Sequence, residues 1–169
     1  MSVVVKDTKG AGVKALTMRF KEAAAAVLVG VPAGAKEDDE ASTPIAMLAA
    51  VHEFGSPSRH IPERPFLRPA ITEGRPDFIR LNRANMRRVA RGRTTIKQAL
   101  GELGELGKRK VQEKIIAGPF EAIKPATLAA RKRRSVGSSK PLIDTGNLRQ
   151  SITWILDDGK AAEGSKVLR

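Results

Sequence analysis

The spacing of apolar and polar residues predicts a mainly helical chain with few strands. Helical periodicity predicts helices over residues 13–26, 45–54, 66–73, 77–91, 127–133 and a long one from Thr94 or Thr95 to 117. Short apolar or alternating runs predict strands at 2–6, 27–31 and 151–156. Together they predict an α+β fold: a small, mostly antiparallel sheet packed by one long helix, with short helices and extended loops. We expect one domain over 1–156 and a flexible tail over 157–169.

Prolines and glycines punctuate this pattern. Thr43 and Pro44 favour a helix start, and Gly55 favours the end of that helix. Prolines at 57, 62 and 65 bias their preceding residues away from helix, so 56–65 should be irregular.

Three glycines recur along the long predicted helix, whose apolar face carries Ile96, Leu100, Leu103, Val111 and Ile115. Gly101, Gly104 and Gly107 each weaken the helix by about 1 kcal/mol relative to Ala. We expect a smooth stripe against which another backbone packs, from the same chain or from a neighbouring subunit.

The charge balance points to an anionic partner. The 169 residues carry a formal net charge of +13, and only 4% are aromatic. Nucleic acid, an anionic surface and an acidic protein all fit such a charge. Few aromatics disfavour single-strand readers, which stack bases, whereas duplex phosphates need only Lys and Arg. The candidate contacts are Arg80, Arg83, Arg87, Arg88, Arg91, Arg131, Lys132, Arg133 and Arg134.

One acidic cluster interrupts the basic chain. Its members are Glu37, Asp38, Asp39 and Glu40. It is interpreted either as a solvated loop tip or as a contact for a basic surface on the next subunit or partner.

Cysteine is absent, which excludes disulfides and Cys-based metal sites. No apolar run approaches the ~20 residues that span a bilayer, so no membrane partner is expected.

One triplet resembles an aspartic-protease signature. Asp144, Thr145 and Gly146 match it, but that chemistry needs two aspartates sharing a proton, so one triplet per chain would require a homodimer. The residues that follow favour a short helix to 150 capped by Asp144 or Thr145. The protease remains a remote alternative.

The two histidines do not form a metal motif. His52 and Glu53 are adjacent, so they point in different directions, and His60 lies in a separate loop. We therefore expect no catalytic set, metal or cofactor, and no enzyme activity.

Two separated segments carry a family resemblance. The first is His-Glu-Phe-Gly at 52–55 followed by Ile-Pro-Glu-Arg-Pro-Phe-Leu-Arg-Pro-Ala at 61–70. The second is Pro-Leu-Ile-Asp-Thr-Gly-Asn-Leu-Arg-Gln-Ser-Ile at 141–152. In this order they resemble the virion-morphogenesis or tail-completion proteins of long-tailed bacteriophages, over roughly residues 27–156. The arginine-rich middle and the tail depart from that pattern.

The resemblance implies a structural role. Such subunits form a ring, usually sixfold, in the neck or at the head-proximal end of the tail. The ring completes the tail, joins it to the head, contacts connector and tail-tube proteins, and lets phage DNA pass through its lumen. The implied location is the virion, after assembly in the bacterial cytoplasm.

The proline-framed loop is the predicted subunit interface. Fixed proline φ angles lower the entropy lost on docking. Apolar anchors and forked carboxylate donors would come from Phe54, Arg59, Arg64, Phe66, Leu67 and Arg68. The alternative for Phe66 and Leu67 is that they close the chain's own core. A basic DNA-binding protein is the competing function.

Overall fold

The computed structural model describes residues 9–20, 26–33, 44–133, 139–143 and 146–157. Within these ranges the helices are α1 (Lys9–Phe20), α2 (Ile45–Phe54), α3 (Leu67–Glu73), α4 (Arg75–Ala90), α5 (Ile96–Ala117), α6 (Pro125–Arg133) and α7 (Asn147–Gln150). The strands are β1 (Ala26–Gly30) and β2 (Thr153–Asp157), and Pro57–Arg59 forms one 3₁₀ turn.

The two strands form an antiparallel sheet that packs against α5. Val29 pairs with Trp154, and Leu28 pairs with Ile155. Side chains alternate across a sheet, so Val29 and Trp154 face α5 while Leu28 and Ile155 face away from it. The predicted α+β fold, with a small antiparallel sheet on one long helix, is confirmed.

The glycine stripe of α5 is where this sheet lies. A Cβ atom on Gly104 would stand 2.4 Å from Trp154 Cδ2, and one on Gly107 would stand 2.7 Å from Val29 Cγ2. Gly101 also faces the indole, at 3.3 Å. Of the two alternatives, the element that approaches the stripe belongs to the same chain.

Local signals account for the ends of the central helices. Thr95 begins α5 with a capping box: its hydroxyl accepts the Gln98 N–H, and the Gln98 side chain accepts the Thr95 N–H. Gly55, at φ 71°, ends α2 in a region that favours glycine.

Among the described residues, the core has two parts. The main cluster joins α2, α3, the second half of α5 and the 142–152 segment through Ile45, Ala49, Phe66, Ala70, Val111, Ile115, Leu142, Leu148 and Ile152. A smaller cluster of Val89, Ile96 and Ala99 holds α4 on α5, and Phe20 of α1 packs against it. On the predicted apolar face, Leu100 and Leu103 are half-buried.

Several predicted boundaries are wrong. Of the helix predicted over 13–26, residues 13–20 belong to α1, residues 21–25 lie outside the described ranges, and Ala26 already belongs to β1. The N-cap of α2 is Pro44, and that of α7 is Gly146 at φ 88°. Asp157 extends β2, so the predicted tail begins one residue too early. The strand predicted at 2–6, Thr43 and residues 158–169 lie outside the described residues.

Candidate functional site

The 52–70 segment is organised around the carboxylate of Glu53. Its Oε2 accepts the backbone N–H groups of Phe66 and Leu67 at 2.8 and 2.9 Å, and its Oε1 accepts that of Arg68 at 2.9 Å. These donors are among the N–H groups at the start of α3 that lack a partner within the helix. Glu53 is thus the residue that fixes α3 to the end of α2.

Arg68 completes this arrangement from its own side chain. Its Nε donates to Glu53 Oε1 at 3.0 Å, and its Nη2 donates to the Glu53 carbonyl at 2.9 Å. Burial alone would raise the pKa of Glu53, but three successive backbone N–H groups and the Arg68 guanidinium outweigh burial and hold that pKa below its usual value. The carboxylate therefore stays ionised and keeps its hydrogen bonds.

Arg64, predicted to contact a neighbouring subunit, is buried within the chain itself. It is only 8% exposed, and its guanidinium donates to the carbonyls of Glu121 and Ala122 at 3.0 and 3.2 Å. Its own N–H donates to the His52 carbonyl at 2.7 Å. The interface assignment of Arg64 is wrong because its guanidinium already donates hydrogen bonds to carbonyls of the loop after α5, which lies 57 residues along the chain.

Phe66 is likewise internal. It has no exposed surface and lies in the main core. Leu67 is half-buried and packs against the same core. The alternative that these side chains close the chain's own core therefore holds for Phe66, and the interface assignment of Phe66 is wrong.

Two arginines act electrostatically on His52. Burial, then the charges of Arg64 and Arg131, lowers its pKa from 6.5 to about 4. Its Nδ1 is buried without a hydrogen-bond partner among the described residues. His60, the other histidine, is exposed with φ 52° at the end of the 3₁₀ turn. Within the described ranges, no three His, Asp or Glu side chains gather in a way that could hold a metal ion.

Three predicted interface residues do reach the surface. Phe54 is 60% exposed, and the Arg68 guanidinium stacks on its ring with the carbon 4.9 Å from the centroid. Arg59 is exposed on the 3₁₀ turn.

The outward face of α2 is apolar throughout. Met47, Ala50 and Phe54 follow one another at i, i+3 and i+7, which places them on one side of the helix, and all three are exposed. The only polar side chains of α2 are His52 and Glu53, and neither joins this exposed face. We call Met47, Ala50 and Phe54 the α2 face.

A groove deepens the α2 face. It has a volume of about 350 Å³, and its lining includes Val31, Ala46, Ala50, Phe54 and Leu67. The sequence patterns singled out neither Met47 nor Ala50, although their spacing from Phe54 and the lack of an outward charge on this helix were legible signals.

The arginines of α4 are exposed, as the predicted anion contacts require. Arg80 and Arg88 are already paired, with Asp77 at 2.6 Å and with Glu102 at 2.8 Å. Arg83, Arg87 and Arg91 are exposed, and among the described residues no hydrogen bond or ion pair is recorded for their side chains. On the inner side of α4, Asn85 is fully buried and donates to the Ala99 carbonyl at 3.1 Å.

The second basic cluster, at 131–134, contains both buried and exposed side chains among its described members. Arg131 is 9% exposed, and its Nη1 donates to the carbonyls of Lys140 and Ile143 at 2.9 and 3.0 Å. The prediction that Arg131 contacts DNA is wrong because the guanidinium is used to hold the 139–143 segment on α6. Lys132 and Arg133 are exposed.

Some candidate residues lie outside the described ranges. These are the acidic cluster Glu37, Asp38, Asp39 and Glu40, together with Arg134, Asp144 and Thr145. The N-cap position predicted for Asp144 or Thr145 is occupied by Gly146.

Neither protein-family models, curated proteins nor solved structures provide a match for this chain. Among the described residues, no helix combines the length and apolar character needed to cross a membrane.

Proposed function

We propose that this chain is a structural subunit of a bacteriophage virion. Copies of the chain form a sixfold homo-oligomeric ring at the head–tail interface. The ring completes the tail, joins it to the head through connector and tail-tube proteins, and lets DNA pass through its lumen. The family resemblance of the 52–70 and 141–152 segments supports this role.

The observation that carries the proposal is the α2 face. A helix that exposes only apolar side chains on its outer side is typical of a surface that another protein covers. Met47 is 52% and Phe54 60% exposed, so both have surface left to bury. We assign the neighbouring copy of this chain as the element that covers them.

The surrounding structure makes this face rigid. Glu53 fixes α2 to α3, and Arg68 holds the Phe54 ring from one side. An anchor that is ordered before docking loses little conformational entropy on association. The motif residues therefore act indirectly: the buried ones shape the surface, and Phe54 and Arg68 present it.

The test replaces the two anchors. Met47→Ser with Phe54→Ser should weaken each subunit contact by about 2–3 kcal/mol, or roughly 30- to 150-fold in Kd, because both side chains lose apolar burial. Native mass spectrometry and negative-stain imaging should show rings for the parent and monomers for this variant.

A matched control is available in the same residue type. Met18 of α1 is 75% exposed and lies on another helix, so Met18→Ser should leave the rings intact. Rings that survive the double change, or a parent that stays monomeric at high concentration and is absent from particle necks, would refute the proposal.

A second candidate, a basic DNA-binding protein, is favoured by the exposed arginines of α4. Because that candidate does not require a ring, duplex binding by a parent that forms no ring would favour it over the first.

A further inference from the structure

Three arginines of α4 and its C-cap form a regular row. Arg83, Arg87 and Arg91 are four residues apart, so they share one side of the helix and follow one another at about 6 Å along its axis. All three are exposed. We call them the arginine row.

Within the described residues, no carboxylate is paired with the arginine row. The nearby carboxylates are already used: Asp77 pairs with Lys110 and Arg80, both at 2.6 Å, and Glu102 pairs with Arg88. Three guanidinium groups thus stand side by side in solvent without a described partner. Like charges at this spacing repel one another, which an anionic ligand would relieve.

We propose that the arginine row binds the phosphate backbone of duplex DNA without reading its sequence. This inference rests on the proposed function, because the ring is what would bring DNA to the arginine row. The experiment below tests the two separately. Phosphates follow one another every 3.4 Å along one strand, so a row of about 12 Å spans roughly three to four of them. Guanidinium groups also match phosphate geometry with two parallel donors.

The composition of the surface selects duplex DNA over single strands. Phe78, the aromatic residue of α4, is half-buried beside Gly107 and offers no platform for a base. Binding to single strands relies on such stacking. The repeat of the row also favours a ligand whose charge repeats evenly, which is less typical of an acidic protein surface.

The second basic cluster provides a matched control. Of its described members, Lys132 and Arg133 are exposed and Arg131 is buried, so these members present a pair of charges rather than a row. Lys132→Gln with Arg133→Gln removes the same charge as Arg83→Gln with Arg87→Gln. Glutamine keeps a good helix propensity, so both variants should retain the circular dichroism of the parent.

The experiment measures fluorescence anisotropy of a labelled duplex of arbitrary sequence between about 50 and 200 mM salt. For the parent, the logarithm of affinity should fall linearly with the logarithm of salt concentration. The row variant should bind more weakly at every salt concentration, with a slope smaller by about 1.8, which is two contacts at about 0.9 each. The control variant should change the slope by less than half as much.

Three results would overturn the proposal: equal loss in both variants, no salt-dependent binding by the parent, or equally tight binding of polyglutamate by the parent and its loss in the row variant. Native mass spectrometry on the same samples separates this proposal from the ring. A parent that binds through the row but forms no ring refutes only the proposed function. A ring that does not bind DNA refutes only the arginine row.

Discussion

The contact between Gly104 and Trp154 gives a sharp test of how α5 holds the sheet. In Gly104→Ala the new methyl would lie 2.4 Å from Trp154 Cδ2 and 2.6 Å from Cγ, well inside contact distance. The indole cannot move away freely because its Nε1 donates to Glu105 Oε1 at 2.7 Å and its backbone pairs with Val29. The methyl therefore has to push β2 off the helix or twist the indole out of its hydrogen bond.

Two opposing effects set the magnitude. Replacing glycine by alanine inside a helix gains about 1 kcal/mol in propensity. Overpacking costs about 1–3 kcal/mol, and loss of the indole hydrogen bond adds about 1 kcal/mol. We expect Gly104→Ala to lower the free energy of unfolding by about 2 kcal/mol, which corresponds to a fall in Tm of about 4–8 °C.

Thermal and urea unfolding measure this change. Trp154 is the single tryptophan of the chain, so its emission reports directly on the contact. Gly12→Ala in α1 is the control: nothing lies within 4 Å of the point that its new methyl would occupy, so only the propensity gain of about 1 kcal/mol should remain.

A second-site change sharpens the test. In a Trp154→Leu background the obstacle is gone, so Gly104→Ala should become neutral or stabilising. The packing argument fails if Gly104→Ala alone is as stable as the parent with unchanged emission.

Two further predictions concern the 52–70 segment. The pKa of His52 is about 4 in the folded chain and 6.5 when unfolded, so the unfolded chain binds more protons in this interval and stability falls as pH drops below 6.5. Urea unfolding should show that the free energy of unfolding falls by about 2 kcal/mol between pH 7 and pH 5. His52→Gln should reduce this loss, whereas the control His60→Asn should keep it. An unchanged pH profile in His52→Gln would contradict the assignment of this loss to His52. Glu53→Gln should cost about 3 kcal/mol by chemical denaturation, because it replaces charged acceptors that serve three N–H groups, whereas exposed Glu63→Gln should cost under about 0.5 kcal/mol. Equal effects at positions 53 and 63 would rule out the capping role.

The 52–70 segment has the composition of an interface, but its buried residues stabilise the fold of the chain itself. An arginine whose guanidinium finds acceptors, or a phenylalanine whose ring is enclosed, is compatible with an interface and with the interior of a chain. Arg64 finds carbonyls after α5, and Phe66 finds the main core. The α2 face stays exposed, and the sequence presents α2 as an ordinary apolar helix.

Local chemistry along the chain determined most of the elements. The bounds of α2 follow from Pro44 and Gly55, those of α5 from the Thr95 capping box and Gly118-Pro119, and β1 from a run of β-branched and aliphatic residues. These signals act within a few residues, so they are readable without knowledge of the fold. The glycine stripe of α5 likewise announced a close approach, though not by what.

Only the tertiary structure decided which polar and apolar side chains are used inside the chain. Arg64 and Arg131 look like free cations in the sequence, yet each is buried on backbone carbonyls, and Glu53 caps a helix that begins 14 residues later. Burial of a charge depends on whether distant segments bring acceptors to it, and no local pattern encodes that meeting. No described segment brings partners to Arg83, Arg87 and Arg91 or covers the α2 face, so these residues stay exposed to solvent. The proposed functions depend on these two surfaces.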